Sequence, residues 1–182
     1  LRTDWEVVED IFSFGYHIGL RFTASKSGSC NGQFTDINFD DVDIGVDLTD
    51  TQKPAVIFSN LNIANAGDGS TKVGILGRSG GEAHVIVRGG SFWGDLHQAI
   101  SWANSGSVVL AESNVQQWNS SYAAVEITGG RARIYSTLFE DDIGVAVRVG
   151  TNTDRVMVVS NELAGNTIDN NGPLTEIANN HN

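Results

Sequence analysis

The chain has 182 residues, which suits one domain, and its 22 acidic against 11 basic residues set a net charge of −11. Such a surface repels nucleic acid and anionic lipid, so neither is an expected partner. No apolar run approaches the ~18 residues that cross a bilayer, and the single Cys30 excludes both an internal disulfide and a cysteine metal site.

Glycine is abundant (21) and proline scarce (2), with Asn, Asp, Ser and Thr between short apolar stretches. That profile predicts many short strands joined by tight turns. The first strand with clear alternation is Ile18-Gly19-Leu20-Arg21-Phe22. The pair Phe34/Phe39 follows, two apolar anchors with four residues between them, and then a second alternating strand, Ile44-Gly45-Val46-Asp47-Leu48. The same two-part unit recurs along the chain. Its anchors are Phe58/Ile63, Val87/Phe92, Leu110/Val115, Ile134/Phe139 and Val158/Leu163, and its later alternating strands are Ala99–Trp102, Ala124–Ile127 and Val145–Val149. Successive second anchors lie 24, 29, 23, 24 and 24 residues apart.

A fixed period of about 24 residues, with three short strands and three turns in each, is the arithmetic of a three-sided coil. One coil cannot bury its own apolar face, whereas stacked coils bury a continuous one. The predicted fold is therefore all-β: a single right-handed parallel β-helix of about seven coils. Residues 1–182 form one domain in this reading, with regular coils over 5–165 and an Asn-rich cap or tail over 166–182. Asn38, Asn62, Ser91 and Asn114 all stand four residues past a first anchor. Asn tolerates the left-handed conformation, and its amide can bond the same residue one coil above, so a stacked Asn column at a sharp bend is expected there. The period of two within the third strands sends Leu20, Val46, Ile100, Val125 and Val147 inward, and Arg21, Asp47, Ser101, Glu126 and Arg148 outward.

The runs Gly90-Ser91-Phe92-Trp93-Gly94, Gln98-Ala99-Ile100, Ser113-Asn114-Val115-Gln116-Gln117-Trp118, Val158-Val159-Ser160-Asn161 and Ile177-Ala178-Asn179-Asn180 carry a resemblance. Over roughly residues 5–180 the chain resembles the right-handed parallel β-helix of the pectate-lyase-like superfamily, which includes polygalacturonase-related proteins. The resemblance implies a secreted or cell-surface protein and a polysaccharide or oligosaccharide partner. It further implies a binding cleft along the third strand of each coil, beside the turn that precedes it. The chain looks like the later coils of a longer protein, with its first coil stacking on upstream coils or on a second copy. Of the Asn-Thr-Asp, Gly-Asp-Asp, Gly-His-Gly and Arg-Ile-Lys runs expected of polygalacturonases, only Glu140-Asp141-Asp142-Ile143-Gly144 echoes one.

The corner after each second anchor holds Asp40-Asp41, the long loop from Asn65 to Lys72, Trp93-Gly94-Asp95-Leu96-His97, Gln116-Gln117-Trp118 with Tyr122, and Glu140-Asp141-Asp142. Sugar rings stack on aromatic faces and carboxylates bond hydroxyls, so this mixture suits a glycan groove. Two functions follow from it. A glycoside hydrolase or polysaccharide lyase would draw its acid and base from Asp95, Glu126, Asp141 and Asp142. A non-catalytic carbohydrate-binding or structural cell-surface module would use the same corner for contact alone. In both, Trp93, His97, Trp118, Tyr122, Asp47 and Arg148 are the expected substrate contacts. No metal ligand set is assigned, although carboxylates on successive coils, about 4.8 Å apart, could hold Ca²⁺.

Overall fold

The computed structural model describes residues 4–65, 72–140 and 144–182. All of its regular elements are strands. The first three coils contribute β1 (Glu6–Phe14) and β2 (Ile18–Phe22), β3 (Gly32–Asp40) and β4 (Ile44–Leu48), and β5 (Val56–Asn65) and β6 (Val73–Gly77). The next three contribute β7 (His84–Arg88), β8 (Ser91–Gly94) and β9 (Gln98–Trp102); β10 (Ser107–Ala111), β11 (Asn114–Gln116) and β12 (Ala123–Ile127); and β13 (Gly130–Tyr135), β14 (Leu138–Glu140) and β15 (Val145–Val149). The chain ends with β16 (Thr153–Val159), β17 (Thr167–Asn170) and β18 (Thr175–Ala178).

Every ladder between these strands is parallel and joins one coil to the next. An eleven-stranded sheet bends to form two sides, and a seven-stranded sheet forms the third. The protein is thus a parallel β-solenoid of about six turns. Strands β17 and β18 extend the third and first sides beyond residue 165.

The anchors form two vertical columns. Phe34, Phe58, Val87, Leu110, Ile134 and Val158 stand in register on the first side; Phe39, Ile63, Phe92, Val115 and Phe139 do so on the second. All are buried. Opposite the second column, the third side of the first three coils places glycine. A Cβ on Gly19 would meet the Phe39 ring at 2.7 Å, one on Gly45 would meet Ile63 at 2.5 Å, and one on Gly74 would meet Phe92 at 2.8 Å. Large residues on one wall and glycine on the facing wall let a narrow coil reach interior packing density.

The bend between the first two sides departs from expectation. The left-handed residues are Asp36, Asn60, Gly89, Glu112, Ser136 and Ser160, two positions before the expected Asn column. Asn62 does donate to Asn38 Oδ1 at 2.8 Å, so the coil-to-coil amide bond exists, but outside the bend itself. The residue after each left-handed one points inward. It is Ile37 and Leu61 in the second and third coils, where β3 and β5 run unbroken through the bend. It is Gly90, Ser113, Thr137 and Asn161 in the later coils, where the strand divides. There the side chains complete the ladder: Gly90 N–H donates to Ser113 Oγ at 3.0 Å, and Thr137 N–H donates to Asn161 Oδ1 at 3.1 Å.

Candidate functional site

The corner between the second and third sides gathers Trp93, Asp95, His97 and Tyr122. Strand β8 ends at Gly94, whose positive φ of 90° turns the chain outward. Trp93 remains 48% exposed, because its neighbour one coil earlier is Ala64, whose methyl group covers little of the indole. Asp95 is exposed on the turn, its N–H donating to Asn65 O at 3.1 Å. His97 Nδ1 accepts the Lys72 N–H at 3.0 Å, which leaves Nε2 to carry the proton of the neutral ring. Tyr122 meets His97 edge-on, with centroids 5.1 Å apart, and stays partly exposed. Its turn is tied by Tyr122 N–H to Asn119 O at 2.9 Å.

Two expected site residues have other surroundings. Trp118 is no groove residue: it is 4% exposed and packs edge-to-face on Phe139, so no indole face is offered to solvent. Asp47 lies on the outward column but is 1% exposed, because Arg21 and Arg78 close over it. Arg21 Nε donates to Oδ2 at 2.8 Å and Arg78 Nε to Oδ1 at 2.6 Å. The hydrogen bond to Asp47 also raises the Arg78 pKa. Asp141 and Asp142 lie outside the described residues.

The outward column of the third side is a charge ladder. Glu126 accepts from Gln98 Nε2 at 3.0 Å and pairs with Arg148 at 3.5 Å; Arg148 Nε in turn donates to Asp169 at 3.0 Å. Each charge is met by a partner one coil away, an arrangement that parallel register brings about wherever opposite signs repeat at the coil period.

A second network, which reading by strand period missed, sits beside the corner. The Lys72 side chain is 4% exposed, and Nζ donates to Asp41 at 3.2 Å and Asp43 at 3.1 Å. Asp43 also binds His17 Nδ1 at 2.7 Å. Burial works against the Lys72 charge, but the hydrogen bonds to Asp43 and Asp41 outweigh it and raise its pKa. The hydrogen bond from His17, followed by that from Lys72, holds the Asp43 carboxyl below the usual carboxylate range. A depressed carboxylate contributes stability that is complete above its unfolded value near ~3.9 and is lost as pH falls through the folded value. Acid titration of stability should therefore steepen below about pH 4, and Asp43→Asn should flatten that limb, as read by urea unfolding at stepped pH. An unaltered limb in the variant would remove Asp43 from the account.

Among the described residues, no group of three or more His, Cys, Asp or Glu could hold a metal ion. The fold defines a class, the parallel β-solenoids. Compared with known proteins, the chain matches no family model, and no curated protein or solved structure is significantly similar to it.

Proposed function

We propose that this is a carbohydrate-binding β-solenoid of the extracellular or cell-surface kind, related in architecture to the pectate-lyase-like proteins, that holds a glycan against the Trp93 corner. The observation carrying this reading is a half-exposed indole at the end of β8, followed within four residues by Asp95 and His97 and flanked by Tyr122. A flat aromatic face with a hydroxyl-bonding carboxylate beside it is the usual pairing for a sugar ring. Among the described acid and base candidates, Glu126 favours binding over cleavage: it is taken up by Gln98 and Arg148 and so serves the ladder.

Trp93→Ala should weaken retention on immobilised neutral polysaccharides by roughly three- to tenfold, the worth of one aromatic stack. Its thermal midpoint should hold, because the side chain is half in solvent already. Unchanged retention across a glycan panel would sink the corner as a binding site. Release of reducing ends or unsaturated products that disappears in Asp95→Asn or Glu126→Gln would replace binding by catalysis.

A further inference from the structure

The turn between β11 and β12 carries chemistry that the strand ladders do not use. Of the sixteen asparagines in the chain, Asn119 alone has a Ser or Thr two positions later, in Asn119-Ser120-Ser121. An Asn-x-Ser/Thr run without proline at its centre is an acceptor for N-linked glycans when it lies on an accessible turn. Ser120, Ser121 and Tyr122 are all exposed, and Asn119 is partly so. The backbone of the turn is tied to the preceding coil, Asn119 N–H donating to Leu96 O at 2.8 Å. The Asn119 side chain closes an Asx turn, with Oδ1 accepting the Ser121 N–H at 3.0 Å. That bond brings the serine back beside the carboxamide and leaves Nδ2 with no acceptor among the described residues. Other asparagines use the same nitrogen to hold coils together. Asn62 donates to Asn38, Asn104 to Thr49 O and Arg78 O, Asn161 to Ile134 O, and Asn180 to Val158 O.

We propose that Asn119 is an N-glycosylation site whose glycan lies over the Tyr122 side of the Trp93 corner. The inference rests on the extracellular reading given above, because the sugar donor, an oligosaccharide joined through diphosphate to a membrane lipid, belongs to the secretory route. Nδ2 attacks C1 of the first sugar, the bond from C1 to the diphosphate oxygen breaks, and the lipid diphosphate leaves as Nδ2 gives up one proton. The product is a substituted amide that keeps its Oδ1, so the Asx turn survives the modification. The fold tolerates the addition, since no ladder or coil-to-coil bond uses the attached nitrogen. Location gives the modification its consequence. Asn119 is bonded to Leu96, which stands between Asp95 and His97, and the Tyr122 ring meets His97 with centroids 5.1 Å apart. A sugar on Nδ2 therefore emerges beside Tyr122, which is 39% exposed, and an aromatic face is where the C–H face of a sugar packs. The chain's own glycan then competes with a free one for the corner.

Full-length chain secreted by a eukaryotic host should be heavier by one glycan than chain made in the bacterial cytosol. Peptide N-glycosidase should remove the difference and leave aspartate in place of Asn119. Ser121→Ala should abolish the addition although it keeps both Asn119 and the backbone N–H of the Asx turn, whereas Ser121→Thr should retain it. Hydroxyl-radical labelling of Tyr122, mapped by peptide mass, should fall about twofold or more in the glycosylated chain, with labelling of Trp5 on the first coil unchanged. Absence of the added mass, or its persistence in Ser121→Ala, overturns the site. Equal labelling of Tyr122 in the two forms overturns the placement of the glycan over the corner. Neither readout needs a bound polysaccharide, so failure of the corner to retain one, which Trp93→Ala reports, is a separate result.

Discussion

Truncating Phe92 to alanine should cost about 3–5 kcal/mol, the full range for a buried phenylalanine and toward its upper end. Phe92 is completely buried, standing in register between Ile63 and Val115. The surroundings cannot fill the space it leaves. Across the coil stands Gly74, and Gly90 approaches the same ring from another direction, so two of the walls have no side chain to relax inward. Adding one does not repair the hole. A Cβ on Gly74 would lie 2.5 Å from the Ala99 carbonyl oxygen as well as against the ring, so Phe92→Ala with Gly74→Ala should be no more stable than Phe92→Ala alone. Urea unfolding of the two single variants and the double variant makes the comparison. Recovery of more than about 1 kcal/mol in the double variant would show that the third side can shift, and that large-against-glycine packing is not what sets the width of the coil.

The same packing explains how much could be read without coordinates. The anchors recur at the coil period because Phe34, Phe58 and Val87 must stack, and the third strands alternate because one of their faces is inside. Those signals predicted the solenoid and the membership of both core columns. The bend was placed two residues late. Asn38, Asn62 and Asn114 suggested a left-handed column by residue type, but the residues that adopt it stand two positions earlier: Asp36, Asn60, Gly89, Glu112, Ser136 and Ser160, all polar or glycine. The residue types that favour that conformation occur at both positions, so type alone did not choose between them. Turns have no strand period to read. Trp93 and Trp118 both follow second anchors, yet Ala64 leaves one open while the other packs inward on Phe139. The outward direction of Asp47 was legible, but the arginines that bury it come from other coils, Arg78 lying 31 residues further on.

Asn161→Leu should be nearly as damaging as the loss of Phe92, at about 2–5 kcal/mol, although it adds apolar volume to a buried site. Asn161 is inaccessible, and its carboxamide serves three groups on the two neighbouring coils. Oδ1 accepts the Thr137 N–H at 3.1 Å, and Nδ2 donates to Ile134 O at 3.1 Å and to Asn180 Oδ1 at 2.9 Å. Leucine leaves the Thr137 N–H and the Ile134 carbonyl without that partner, and each buried unpaired group costs about 1–3 kcal/mol. The position itself is not hostile to leucine, since Leu61 and Ile37 occupy it in the third and second coils. The difference lies in the backbone. Strands β3 and β5 pass through the bend as single strands with an apolar residue inside it, whereas the later coils divide there and place side-chain hydrogen bonds at that position. Asn161→Ser should therefore fall between, at about 1–2 kcal/mol, because a hydroxyl can accept one backbone N–H as Ser113 does for Gly90. Equilibrium unfolding orders the three proteins. If the leucine variant is as stable as the parent, the later coils can run through the bend as single strands, as the early ones do, and the polar column is there for some purpose other than holding the turn.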